Sequence, residues 1–429
     1  MIILLFVLCI ICAVINWKIS VPLYLICALW INDTVTLGSI SFMNAIFFFL
    51  SALFMVKKGV LSYKTNLDKE VIFYFLYSFA ILVPFLLLST KLSILDQISS
   101  QKGTLALLLG LMFYRLKISL EDIQKYKSFL LLPVLGVCLY GIFSYVTHTN
   151  YFIELISNYS KIDDIQDIAE ATMDDIRGGM TGRIMGVSPY PIQYGILMGI
   201  WFYIYRNFFC TNSLLNLIVL ILIFVNIYLT GSRGPLMALA LSFGLYILLT
   251  QKLKRITFYL FLVGLFVFCF ASQYLDSFFM LFDQNETKGS SIDMRLLQLT
   301  GAFSLISDSL QSILFGNGLG YTQYYISTYG AHPLALFFEG SITSGLPSYG
   351  ILGLIFIWLM KFILMFNIAY SAYKKQIINK NNFYFLSFYL LMRIICDVMV
   401  GGVYGTLYTI SFFIMLKVFI LRYQKQLKS

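Results

Sequence analysis

The sequence predicts an all-α, polytopic membrane protein with about 12 to 13 transmembrane helices and two large extracytoplasmic loops, a single integral membrane domain over residues 1–429. Three observations carry that prediction. The chain is 59% hydrophobic and only 12% charged, with a mean hydropathy of +0.84, a balance anomalous for a soluble domain. Apolar runs approaching the ~20 residues needed to cross a bilayer core follow one another almost end to end. Charge is also sorted by connection, Lys-rich stretches alternating with acidic ones as the positive-inside bias requires.

The apolar segments fall near residues 1–17, 20–32, 39–56, 71–89, 103–114, 128–147, 187–205, 213–229, 235–250, 256–272, 348–366, 383–400 and 403–421. The first two are short and one is a candidate for a re-entrant segment, so the side of the N-terminus stays open. Connections at 57–69, 115–127, 252–255, 374–380 and 422–428 are rich in Lys and Arg and are expected in the cytoplasm. On this reading the net charge of +10 reflects topology, and no nucleic-acid partner is expected. The first apolar run lacks a basic n-region and a small-residue cleavage site, so a cleaved signal peptide is not expected. All seven cysteines lie in or beside apolar segments without metal-ligand spacing, which predicts neither disulfides nor a zinc site, and no cofactor is implied. No six-plus-six repeat is visible, which lowers the expectation of a transporter.

Two outer loops are large, about 149–186 and 273–347. The first is acidic, through Asp163, Asp164, Asp167, Glu170, Asp174 and Asp175, and reads as a solvated face that ends in RGGMTGR with Arg177 and Arg183. The second is predicted to carry, from Asp293, a short amphipathic helix with Met294, Leu297, Thr300, Phe303 and Leu305 on one face, stopped by the glycines of GNGLG at 316–320. Such a helix would suit the membrane surface.

The residues able to carry chemistry concentrate on the outer side. Arg233 in TGSRGP, Arg183 and Arg295 sit where a span or the loop helix begins, against the charge bias, and a planar guanidinium suits phosphate oxygens. Their ordinary alternative is interfacial anchoring or pairing with the acidic loop, and the same holds for Arg177. His332 in GAHP follows a Tyr-rich stretch containing Tyr321 and Tyr325, and precedes Glu339. An imidazole can accept a proton from a sugar hydroxyl, and tyrosines line carbohydrate sites, although a lone loop histidine is commonly just hydrogen-bonded. Arg393 and Asp397 are four apart in one apolar span and are expected to form an ion pair facing the bundle interior, either structural or on a substrate path. Lys361 is expected to snorkel.

Three stretches carry a family resemblance: TGSRGPLMALALSFGLYILL from Thr230, RLLQLTGAFSLISDSLQSILFGNGLG from Arg295, and AHPLALFFEGSITSGLPSYGILGLIFI from Ala331. Together with RIMGVSPYPIQYGILMGI from Arg183, they resemble the bacterial O-antigen ligase and Wzy-type O-antigen polymerase superfamily over roughly residues 183–360. This chain has Pro333 where that family usually has asparagine after the histidine.

The resemblance implies an inverting, metal-independent glycosyltransferase of the GT-C kind in the bacterial cytoplasmic (inner) membrane. Its donor would be an undecaprenyl-diphosphate-linked glycan used on the outer face. It implies Arg233, Arg295 and Arg183 as ligands of the diphosphate and His332 as the group acting on the acceptor hydroxyl; Glu339, the closest carboxylate in the same segment, is the next candidate base. As partners it implies the lipid-linked donor and acceptor glycans, membrane lipids and a chain-length regulator protein. The favoured activity is polymerisation of lipid-linked repeat units into O-antigen or capsular polysaccharide. The alternatives are ligation to lipid A core and, from a different class, a lipid-linked oligosaccharide flippase.

Overall fold

A computed structural model describes residues 2–31, 34–38, 40–62, 67–101, 107–160, 165–174, 176–177, 180–209, 213–250, 292–335 and 338–427. The described chain is helical apart from two minimal hairpins, Thr36–Leu37 with Ile40–Ser41 and Ile176–Arg177 with Met180–Thr181, both antiparallel. Among the described residues six helices are long and apolar enough to cross a membrane: Asp68–Leu88, Leu120–Thr147, Arg233–Thr250, Ser341–Lys374, Lys380–Val400 and Gly405–Gln426. Four shorter apolar helices accompany them, Ile2–Ile15, Trp17–Trp30, Phe42–Val56 and Leu214–Leu229. The expected span at 256–272, and the opening of the second large loop, lie outside the described residues.

The centre of the bundle is Pro191–Phe208, whose apolar and aromatic side chains are buried on nearly every face. Its Pro191 occupies the first helical turn, where a missing N–H costs nothing. Gly405–Gln426 is buried almost as completely and packs on Leu107–Arg115, while Arg233–Thr250 packs chiefly on Lys380–Val400. Tyr389 and Tyr408 stack at 4.1 Å between these layers.

Ion pairs and loop contacts sort onto opposite ends of the helices. Arg115 pairs with Asp68 at 3.2 Å and Lys375 with Glu70 at 2.6 Å, joining Lys-rich connections or their flanks, and Lys18 pairs with Asp122 at 2.9 Å, which puts the 17–19 turn on that end too. At the other end Lys91 pairs with Asp308 at 2.6 Å, the Thr36 hydroxyl donates to Tyr159 O at 3.2 Å, and Asn150 Nδ2 donates to Gly186 O at 3.0 Å. Stretches expected on one side of the membrane therefore contact one another.

Two elements differ from their predicted form. The span near 71–89 is two helices, Asp68–Ala80 and Leu82–Leu88, meeting at Ile81. The span expected from 348 begins earlier, at Ser341, and is kinked: Pro347 lies inside it, Gly350 adopts φ +62°, and 354–359 is a π-helical stretch before Met360–Lys374. Pro removes a helix donor and a π-bulge widens the turn, which together account for the bend.

The GNGLG turn is wedged into that kink. Asn317 N–H donates to Pro347 O and Gly318 N–H to Ser348 O, each at 3.0 Å. Gly316 has φ +75°, and a Cβ there would lie 2.5 Å from the Ser348 carbonyl; one on Gly350 would lie 2.6 Å from Gly316 N. Only glycine permits this backbone-on-backbone approach. Asn317 is fully buried; its side-chain amide donates to Leu305 O at 2.7 Å, its side-chain carbonyl accepts from the Thr90 hydroxyl at 2.9 Å, and its backbone carbonyl accepts from Lys91 and Leu92 N–H.

Candidate functional site

The first half of the site is the TGSRGP turn. Leu214–Leu229 ends at Thr230, Gly231 takes φ +59°, and Arg233 opens the next helix with Pro235 in its first turn. Arg183 closes over this turn: Nε donates to Thr230 O at 2.8 Å and an Nη to Ser232 Oγ at 2.9 Å. Its main chain is tied in as well, since Ile184 N–H donates to Leu229 O at 3.1 Å. A guanidinium on the carbonyl end of a helix also complements the helix dipole. Arg183 therefore braces the turn, and Arg233 stands at a helix N-terminus, where backbone N–H groups favour anions.

The second half is the loop. Of its three short helices, Ile292–Ser304 and Tyr321–Tyr329 pack on a small core of Ala302, Leu305, Ile306, Ala335, Phe338 and Leu346, while Leu310–Phe315 sets Phe315 against a second cluster of Leu82, Phe85, Leu319 and Ile357. Of the predicted apolar face of the first helix only Leu305 is buried, whereas Leu297 and Phe303 are 43% and 45% exposed. The inward face is the polar one: Gln298 is buried, accepting from Arg295 at 3.2 Å and from Glu339 N–H at 3.3 Å, while Arg295 and Glu339 form an ion pair.

His332 is half-buried beside them. Nδ1 accepts the Leu334 N–H at 3.1 Å, and Nε2 lies 3.1 Å from Ser304 Oγ, whose hydroxyl donates to Gly301 O at 2.8 Å. The Leu334 amide can only donate, so the neutral ring carries its proton on Nε2 and gives it to Ser304. Both ring nitrogens are engaged in this conformation. Gly301 is what lets the ring approach, for a Cβ there would lie 3.0 Å from Nδ1.

Tyr325 lies 6.0 Å from the His332 ring and is half-buried. Tyr321 is buried, with the Lys91 ammonium 5.7 Å from its ring; burial pushes its phenol above its ordinary value, against the pull of Lys91. The tyrosines that face outward are Tyr324 and Tyr329. Arg177 lies in the hairpin, its backbone opposite Met180.

Both halves rest on the same end of Lys380–Val400. Gly234 abuts Met399 and Val400, each about 3.7 Å or less from a Cβ built there, and Gly340 abuts Val398 O so closely that a Cβ would stand 2.5 Å away. Deeper in the same helix Arg393 and Asp397 form a buried ion pair, with the Trp358 indole donating to Asp397 at 3.3 Å and Arg393 donating to Val403 O. Among the described residues no three His, Cys, Asp or Glu side chains converge as a metal site would require. Gln298, Ser304, Ser232 and Asn317 organise these contacts and were not singled out by sequence. The spacing of Gln298 from Arg295, one turn on, is the signal that could have flagged the first.

Fold and site together define a polytopic membrane protein that gathers arginines at one end of its spans. Residues 218–347 match the family model described as O-antigen ligase, so this part of the chain is similar to the O-antigen ligase and Wzy-type superfamily. The matched segment includes Arg233, Arg295, His332 and Glu339. No curated protein matches the chain. The family implies a glycosyl-transferring enzyme of the O-antigen ligase and polymerase kind.

Proposed function

We propose that this protein polymerises undecaprenyl-diphosphate-linked oligosaccharide repeat units on the outer face of the bacterial cytoplasmic membrane. The observation that carries the reading is the Arg295–Glu339 ion pair, set in the family-matched segment and packed on the same helix end as the Arg233 turn. Arg233 and Arg295 bind the donor diphosphate, and Arg183 fixes the turn that presents Arg233.

The diphosphate competes with Glu339 for Arg295. Once displaced, the Glu339 carboxylate accepts the proton of the acceptor hydroxyl; that oxygen bonds to the anomeric carbon as the bond from that carbon to the diphosphate oxygen breaks, inverting the centre. The arginines take up the charge left on the diphosphate. In this scheme donor binding itself frees the base. His332 is the alternative base suggested by the family resemblance; to act, its ring must first give up the Leu334 or Ser304 contact.

Ligation of the glycan to a lipid A core uses the same chemistry and is the second reading, favoured by the description of the matched family. Purified protein given only lipid-linked repeat units decides between them. A ladder of extended lipid-linked products supports polymerisation, whereas transfer only after lipid A core is added establishes ligation and overturns the proposal.

A further inference from the structure

A cavity of about 610 Å³ opens within the bundle beneath the loop site, between Ser341–Lys374, Lys380–Val400 and Gly405–Gln426. Ser341 and Gly402 form part of its lining, directly after Glu339–Gly340 in one case and directly after the Gly401 that abuts Gly340 in the other. The cavity thus continues from the loop site into the spans. Its size falls in the ~300–1,000 Å³ range of small-molecule sites.

Its walls combine flat aromatic faces, Trp358, Tyr349 and Tyr408, with amide and hydroxyl groups, Gln193, Thr406 and Thr409. Such a mixture suits a sugar, whose ring has apolar C–H faces and hydroxyl edges. Three charged residues line it: Arg393, Asp397 and Lys361. Arg393 and Asp397 neutralise one another. Lys361 makes no ion pair or hydrogen bond among the described residues, and it contributes to the cavity lining one cation without a counter-charge. A lysine inside a span is costly unless water or an anion meets it.

We propose that this cavity is a subsite for an acidic sugar of the acceptor glycan, with the sugar carboxylate paired to Lys361. The proposal rests on the glycan-transfer reading for the identity of its ligand. A carboxylate on Lys361 would complete the charge balance of the cavity, and the aromatic faces would hold the ring from which it projects. The chain would then select acceptors by charge at a point remote from the bond being made.

The test measures binding alone, with no transfer. The full-length protein in lipid nanodiscs is titrated calorimetrically with acidic disaccharides (hexuronate and sialate types), with their methyl esters, and with inorganic diphosphate. At least one acidic disaccharide is expected to bind about tenfold or more tightly than its own ester, the scale of one charge-assisted hydrogen bond. Lys361→Met should abolish that ratio and Lys361→Arg should keep most of it, while diphosphate should not compete.

Equal binding of acid and ester in every pair, no binding by any of them, or a ratio that survives Lys361→Met overturns the proposal. Competition by diphosphate that disappears in Lys361→Met assigns the lysine to the lipid phosphate and overturns it equally. The acid-to-ester ratio of the native protein needs no variant, so a poorly folded variant cannot rescue or sink the result. A protein that binds acid over ester through Lys361 but fails to extend lipid-linked units would refute the polymerase reading and leave this site standing.

Discussion

Arg183 and Ser232 are joined at 2.9 Å across the mouth of the bundle, and the same guanidinium reaches Thr230 O at 2.8 Å. One side chain thereby ties the end of the acidic 149–186 loop to the turn that presents Arg233. A brace and a ligand should fail differently when altered.

Arg183→Lys removes the fork that spans Thr230 and Ser232, since an ammonium on a flexible stem does not reproduce a planar pair of donors. A thermal unfolding scan in detergent should show a loss of about 1–3 kcal/mol, together with reduced transfer. Arg233→Lys should unfold as the native protein does while retaining little activity. Near-normal polymer from Arg233→Lys would leave interfacial anchoring as its role.

Glu339→Gln and His332→Ala separate the two candidate bases. General-base assistance contributes ~10²–10⁴ in rate, so the variant lacking the base should lose activity on that scale without any weakening of donor binding. The donor-exchange scheme assigns that loss to Glu339→Gln. It further expects tighter diphosphate binding in Glu339→Gln, because the competing carboxylate is gone; weaker binding there would remove the scheme.

Gly316→Ala and Gly350→Ala should each destabilise the protein by at least ~1–3 kcal/mol, from overpacking and a disfavoured φ. A built Cβ meets main chain in both, at 2.5 and 2.6 Å, and main chain cannot swing aside as a side chain would. Comparison with Gly330→Ala is informative: φ is +80° but the space beyond is open, so only the conformational penalty remains. A smaller melting shift for Gly330→Ala than for the other two is the expected order.

Single cysteines at Asp308 and Lys375, in a cysteine-free background, test which end of the helices faces out. Both side chains are accessible, at 61% and 44%. Impermeant reagent on intact cells should label the Asp308→Cys protein and spare Lys375→Cys. The reverse pattern would invert the topology.

The spans were legible in the sequence because hydrocarbon thickness demands long apolar runs whatever they pack against. The same property hid the packing. In Ile292–Ser304 the apolar period picked out Leu297 and Phe303, which face outward, whereas Gln298 and Arg295 turn inward to Glu339. Where the surroundings can be as apolar as the core, an apolar stripe does not mark the core side of a helix. The arginines could be picked out because they broke the charge bias, and TGSRGP because a turn falls between two apolar runs. The cavity beside Lys361 was not legible, since sequence gives depth along a helix but no azimuth, and the cavity is made by residues from distant spans.

The glycine wedge bears on how the chain is assembled. The kink of Ser341–Lys374 draws on Asn317 and Gly318 to donate to its Pro347 and Ser348 carbonyls, and Asn317 in turn carries the amides of Lys91 and Leu92. Backbone polar groups left without partners in hydrocarbon cost several kcal/mol each. The bent span therefore reaches its final hydrogen bonding only after the preceding loop has met the 88–92 turn. Synthesis delivers these parts in that order, first the turn, then the wedge, then the helix that closes on it. A chain permuted to make the helix before the wedge would have to insert a span whose bend lacked these two donors.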